Sequence, residues 1–127
     1  MANTITNRVL HGASGTKYVE LLYHINSDGT NETDAVVYDP ANYDGNMYAA
    51  VDYISATGSD CLVVLEWDQT TDSPIAALNP SSSPEIDLRC SAGISNPMGT
   101  GATGKINITT TGLAAGEQFT LIIRLKK

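Results

Sequence analysis

The stretch Asp60-Cys61-Leu62-Val63-Val64-Leu65-Glu66-Trp67-Asp68 decides the fold class of this chain. Alternate residues set Cys61, Val63, Leu65 and Trp67 on one face. The other face carries Leu62 and Val64, then turns polar at Glu66 and Asp68. A period of two over so short a run describes a β-strand that leaves the core at a wet end. A buried helix gives a similar apolar run, but this one is rich in branched residues and bracketed by Gly58-Ser59-Asp60 and Gln69-Thr70-Thr71-Asp72. Trp67 is the only tryptophan, and its ring would fill much of a small core. The stretch therefore reads as the central strand.

Outward from it, the same period recurs. Toward the C-terminus, Ile86, Leu88 and Cys90 alternate with Glu85, Asp87 and Arg89; Ile106 and Ile108 alternate within 105–109; and Phe119, Leu121, Ile123 and Leu125 form one face of 118–127. Between Ser91 and Gly104 lies the longest segment without a secondary-structure signal, expected to be either mobile or held by something. Pro74 to Leu78 suits a short strand or a single helical turn, and 79–84 is irregular. Toward the N-terminus, Met47 to Ser55 alternates Met47, Ala49, Val51 and Tyr53 against Tyr48, Ala50, Asp52 and Ile54, with a helix as rival. Before it, Val19, Leu21, Tyr23 and Ile25 mark a long strand over 17–26; Asp28-Gly29 then suggests a tight turn into a return strand over 32–38. Residues 4–11, with Ile5, Asn7 and Val9 against Thr6, Arg8 and Leu10, have no consistently apolar face. That pattern fits an edge strand or an arm ordered against a neighbour.

Eight or nine short strands with short connections predict an all-β domain of antiparallel pairs. Two stacked sheets, a β-sandwich of jelly-roll-like or immunoglobulin-like type, are the expected architecture, with a closed β-barrel as rival. The division is an N-terminal arm or edge strand over 1–15 and one sandwich domain over 16–127.

The chain has 127 residues, enough to bury about two-thirds of its extended surface in one core. A formal charge of −7 disfavours direct contact with nucleic acid. Cys61 and Cys90 both fall on apolar faces and are expected as buried thiols, bridged only if their strands are neighbours. The start lacks the basic and apolar blocks of a signal peptide, so synthesis in the cytoplasm is expected. No run suits a membrane-spanning helix, and no membrane partner is expected.

Candidate chemistry is sparse. His11 and His24 lack metal-ligand spacing, and no metal or cofactor is expected; Asp39, Asp44 and Asn46, with Asp28 and Glu32, are oxygen donors in turns that match no known calcium loop. Glu66 and Asp68 share a strand face and would serve glycoside hydrolysis only if a third acid came near. The serines lack a nucleophile elbow, and 99–104 lacks the lysine of a phosphate loop. No catalytic role is expected. Tyr23 and Tyr53 read as core, whereas Tyr43 and Tyr48 flank a polar loop and are candidates for contact with a protein or a sugar.

The arm-like start Met1 to Val9, the acidic Ser/Thr/Gly/Asn-rich body and the ending Gly116 to Lys127 together resemble small all-β virion proteins of tailed bacteriophages, above all those that decorate or cement the capsid. The resemblance implies a non-catalytic structural protein on the outer capsid surface, bridging neighbouring major capsid subunits, as a homo-oligomer with trimers favoured. A carbohydrate-binding module of an adsorption structure, or a neck or tail protein, is the alternative. From composition, Ile5, Arg8, Val9 and Leu10 in the arm, Tyr43 and Tyr48 in the 39–48 loop, and Ile94 and Met98 in the 91–104 loop are the candidate protein contacts.

Overall fold

A computed structural model of the chain describes residues 3–11, 17–42, 49–82 and 85–126. Among them are ten strands: β1 (Thr4–His11), β2 (Tyr18–Asn26), β3 (Ala35–Tyr38), β4 (Ala50–Gly58), β5 (Leu62–Trp67), β6 (Ser73–Leu78), β7 (Glu85–Asp87), β8 (Ile94–Ser95), β9 (Ile106–Thr111) and β10 (Gln118–Lys126). One sheet runs β1-β2-β10-β4-β7, with β8 also on β4, and the other runs β3-β9-β5-β6. All pairings are antiparallel. No pairing among the described residues joins the sheets, so the domain is a sandwich and the rival barrel is not formed.

The pairing has a simple logic. Strand β2 pairs with β10, β3 with β9, β4 with β7 and β8, and β5 with β6. The chain from β2 onward is thus one long hairpin, bent at the turn after Trp67 and wrapped until β10 meets β4 and β9 meets β5. That is a jelly roll, with β1 added outside β2. It also corrects the expected hairpin over 17–38. The Asp28-Gly29 turn is present, with Gly29 at φ 102°, but β3 crosses to the other sheet and pairs with β9.

The stretch that decides the fold is the inner strand β5. Cys61, Val63, Leu65 and Trp67 are buried, while Leu62 is exposed on the opposite face. They meet Val19, Leu21, Tyr23 and Ile25 of β2 and Phe119, Leu121, Ile123 and Leu125 of β10 in one core. The Trp67 side chain is fully buried.

In β4 the alternation breaks where the sequence gives no warning. Arg124 pairs with Tyr53 and Leu125 with Val51, so Asp52 is an extra residue in a bulge. Regular pleating would place Asp52 on the inner face with Ile54; the bulge turns Val51 inward and Asp52 toward the basic outer face. Tyr53, read as core, consequently lies on the outer face. Arg89 stacks 4.6 Å over its ring, and its hydroxyl donates to Glu85 Oε2 at 3.1 Å. Cys90 departs from expectation as well, because β7 ends at Asp87 and leaves the thiol exposed. Cys61 is a buried free thiol, and neither cysteine is bridged.

Candidate functional site

Among the described residues, the longest edge strand of either sheet is β1. Seven of its residues pair with β2, with a bulge between Val9 and His11, yet every residue of the strand is exposed. Its neighbour β2 alternates buried and half-buried residues. Pairing places Ile5 opposite Ile25, Asn7 opposite Tyr23 and Val9 opposite Leu21, on the face of the sheet that elsewhere forms the core. The second sheet does not extend over them. Ile5, Val9 and Leu10 remain 37%, 48% and 39% exposed. A shallow groove between the sheets runs along this overhang, lined by Asn7, Val9, Leu21, Tyr23 and Val37.

The other edges are blunted by their own sequences. Strand β7 has three residues, two of them the acids Glu85 and Asp87, and β8 has two. Strand β6 contains Pro74, which has no N–H to offer, and its ladder shifts register between Leu65 and Glu66. Strand β3 is four residues long and irregular between Val36 and Tyr38. Proteins usually shorten, kink or charge sheet edges in these ways to keep foreign strands away. Strand β1 spans eight residues with no proline and no carboxylate; within it, Arg8, His11 and one bulge are the guards.

Of the contacts nominated from sequence, Ile5, Arg8, Val9 and Leu10 thus lie together on one exposed strand. Ile94 and Met98 do not join them. Ile94 is half-buried in β8 against Val51, and Met98 is half-buried with φ 55°, its N–H donating to Asn96 Oδ1 at 2.9 Å. Tyr43 and Tyr48 lie outside the described residues, as do Asp44 and Asn46. The segment 91–104 is held in place. Thr100 O accepts from Thr70 N–H at 2.9 Å, Gly99 N–H donates to Gln69 Oε1 at 3.0 Å, and the Thr103 hydroxyl donates to Asp68 Oδ2 at 2.6 Å.

Two arrangements of acids lie in the turns and around Glu66. Asp28 accepts from the N–H and hydroxyl of Thr30, and Asp39 accepts from Ala41 N–H, so these two carboxylates organise their own loops, whereas Asp68 accepts from Thr103 and Asn107 and ties down a distant segment. Glu66 instead gathers with Asp34 and Asp72, their ligand oxygens within 4.8 Å of one another. Partial burial, then the charges of Asp72 and Asp34, raise the Glu66 carboxyl above its ordinary range. Asp34 and Asp72 could not be assigned to Glu66 from sequence, because only the wrapping of the roll brings 34, 66 and 72 together. Oxygen-only sets of this kind suit hard cations, and exposed acids also cluster without one.

A second unforeseen feature lies on the outer face of the larger sheet. Asp52 is fully buried, with Oδ1 3.5 Å from Arg124 Nε and Oδ2 3.9 Å from Lys126 Nζ. Arg124 also stacks 4.0 Å from the Tyr18 ring. The segment 88–93 covers the carboxylate: Leu88 N–H donates to Asp52 O at 2.7 Å, and Lys126 Nζ donates to Ser91 O at 2.6 Å. Gly93, at φ 78°, approaches so closely that a Cβ there would lie 2.6 Å from Val51 O. The arrangement is an ion triad that fastens a loop to the sheet.

No protein-family model, curated protein or solved structure matches the chain.

Proposed function

We propose that this chain is a non-catalytic structural protein that joins a larger assembly through β1, in the role of a bacteriophage capsid decoration or cement protein bridging neighbouring major capsid subunits. The observation that supports the reading is the open edge. An eight-residue strand, hydrogen-bonded on one side only and exposed on both faces, presents a row of backbone donors and acceptors with Ile5 and Val9 beside it. A neighbour's strand laid along it gains main-chain hydrogen bonds and covers the overhanging apolar residues. Many identical contacts of modest strength on a symmetric shell sum to firm retention. The placement on a capsid rests on the resemblance of the chain's ends and composition to such proteins. A jelly roll serves capsid proteins, lectins and cupins alike, so the fold agrees with the reading without choosing it.

The test uses purified shells that lack this chain. The wild-type protein is added, free protein is removed, and the bound mass per shell is measured. Retention by the wild type and its loss in the double variant Ile5→Lys, Val9→Lys are expected. Failure of the wild type to bind, or full retention of the double variant, would overturn the reading.

A further inference from the structure

We infer that the strand taken up by β1 is β1 of a second copy of this chain, in an antiparallel pair about a two-fold axis through Asn7. This rests on the reading of β1 as the assembly edge and names its occupant. A two-fold axis perpendicular to a sheet keeps each residue on its own face, so a strand can pair with itself only in registers centred on a residue. Four central residues are worth comparing. Centring on Arg8 sets two guanidinium groups against each other, and centring on Thr6 sets Ile5 opposite Asn7 and Thr4 opposite Arg8. Centring on Ile5 engages only Thr4 to Thr6 of the strand.

Centring on Asn7 satisfies every central position. Ile5 faces the second copy's Val9, twice by symmetry; Asn7 faces its own image, whose amide both donates and accepts; and Thr6 faces the second copy's Arg8 on the outer side. Ile5 and Val9 share the inner face with Ile25 and Leu21, so pairing would continue the apolar row of one core face into the next.

Charge favours the same orientation. Both basic groups of β1, Arg8 and His11, lie in its second half, while its beginning adjoins an acidic turn. There Asn3 Nδ2 donates to Glu32 Oε1 at 3.0 Å, and Asp28 N–H donates to Asn3 Oδ1 at 3.0 Å. Antiparallel pairing brings the His11 end of each copy to the Asn3 and Glu32 end of the other; parallel pairing would put basic end on basic end. The occupant is thus a like strand of complementary charge and shape. The resulting pair would carry two outward surfaces, which is what bridging two capsid subunits requires. It differs from the trimer that the resemblance implies.

The experiment uses the protein alone, without shells. Mass is measured by sedimentation across concentration for the wild type and for Ile5→Lys, Val9→Lys, with unfolding curves to verify that the variant folds. Asn7→Cys is then made in a Cys90→Ser background and oxidised. Cα atoms directly opposite in an antiparallel pair lie about 4.5 or 5.5 Å apart, within reach of a disulfide. A wild-type dimer, a monomeric double variant and a cross-linked Asn7→Cys dimer are expected, while Thr4→Cys in the same background, facing Leu10 of the second copy, stays uncross-linked. A wild-type monomer at the highest soluble concentration, a dimer that survives the lysines, or cross-linking at Thr4 in place of Asn7 would overturn the inference. Monomers that still bind shells through β1 would defeat this inference alone. Dimers that bind no shell would defeat the capsid reading alone.

Discussion

Ile5 lies directly opposite Ile25 in the β1–β2 ladder, yet Ile25 is fully buried and Ile5 is 37% exposed. One hydrogen-bonded step across the sheet passes from the core to open surface on the same face. The second sheet stops at β3, and the first continues for one strand more. An uncovered strand at that position contributes little to the core, so its side chains are free to serve contact.

Lysine at positions 5 and 9 should therefore leave the folded domain almost untouched. Substitutions at exposed sites away from special features usually change stability by no more than about 0.5 kcal/mol. At a protein concentration low enough for the wild type to be monomeric, denaturant unfolding of Ile5→Lys, Val9→Lys is expected to match the wild type within that margin. A loss several times larger would mean that β1 is part of the cooperative core.

Trp67 is the opposite case. Its ring is fully buried between the sheets, and truncation to alanine leaves a cavity that a rigid sandwich fills poorly. The expected cost is about 3–5 kcal/mol, read from the shift in denaturant midpoint at constant slope.

The ion triad predicts an asymmetry. Arg124→Met leaves the fully buried Asp52 carboxylate with Lys126 alone, at an expected cost of about 3 kcal/mol. Asp52→Asn keeps the shape and leaves Arg124, which is partly exposed, able to reach water; about 1 kcal/mol is expected. Unfolding of the two variants at neutral pH checks the order. Equal losses would show that the carboxylate gains little from its partners.

Glu66 predicts a pH dependence of definite sign. Its carboxyl is raised in the folded state, first by partial burial and then by Asp72 and Asp34, so folding favours the protonated form. Below the ordinary carboxylate range both folded and unfolded chains are protonated and nothing is lost. As pH rises through the folded value, Glu66 ionises beside two acids and stability falls. Glu66→Gln should therefore melt higher than the wild type at neutral pH, with the gap closing on acidification and narrowing in high salt. A gap independent of pH would assign the effect to packing.

Much of the fold could be read from side-chain alternation. The inner face of β5, the apolar faces of β2 and β10 and the edge character of 4–11 all follow from residues spaced by two. Long-range pairing could not be read this way. The Asp28-Gly29 signal describes a real turn, but a turn does not fix which sheet the next strand enters, and β3 found β9. The bulge at Asp52 inserts one residue without any glycine or proline inside it, which reversed the reading of Tyr53. The Asp34, Glu66 and Asp72 cluster and the burial of Asp52 exist only once the roll is wrapped. The exposure of β1 was partly legible, since a strand without an apolar face has no core to join; that the remaining edges are blunted became evident only from the strand order.

Strand β1 is the surface through which the chain is proposed to enter its assembly. The most direct measurement is amide hydrogen exchange over residues 4–11 in dispersed and assembled protein. In the dispersed state, diluted until the two copies separate, the N–H groups of β1 that point away from β2 should exchange rapidly, and in the assembly they should become protected while the interior of β5 stays unchanged. Exchange over 4–11 that is the same in both states, with protection gained elsewhere, would contradict the account.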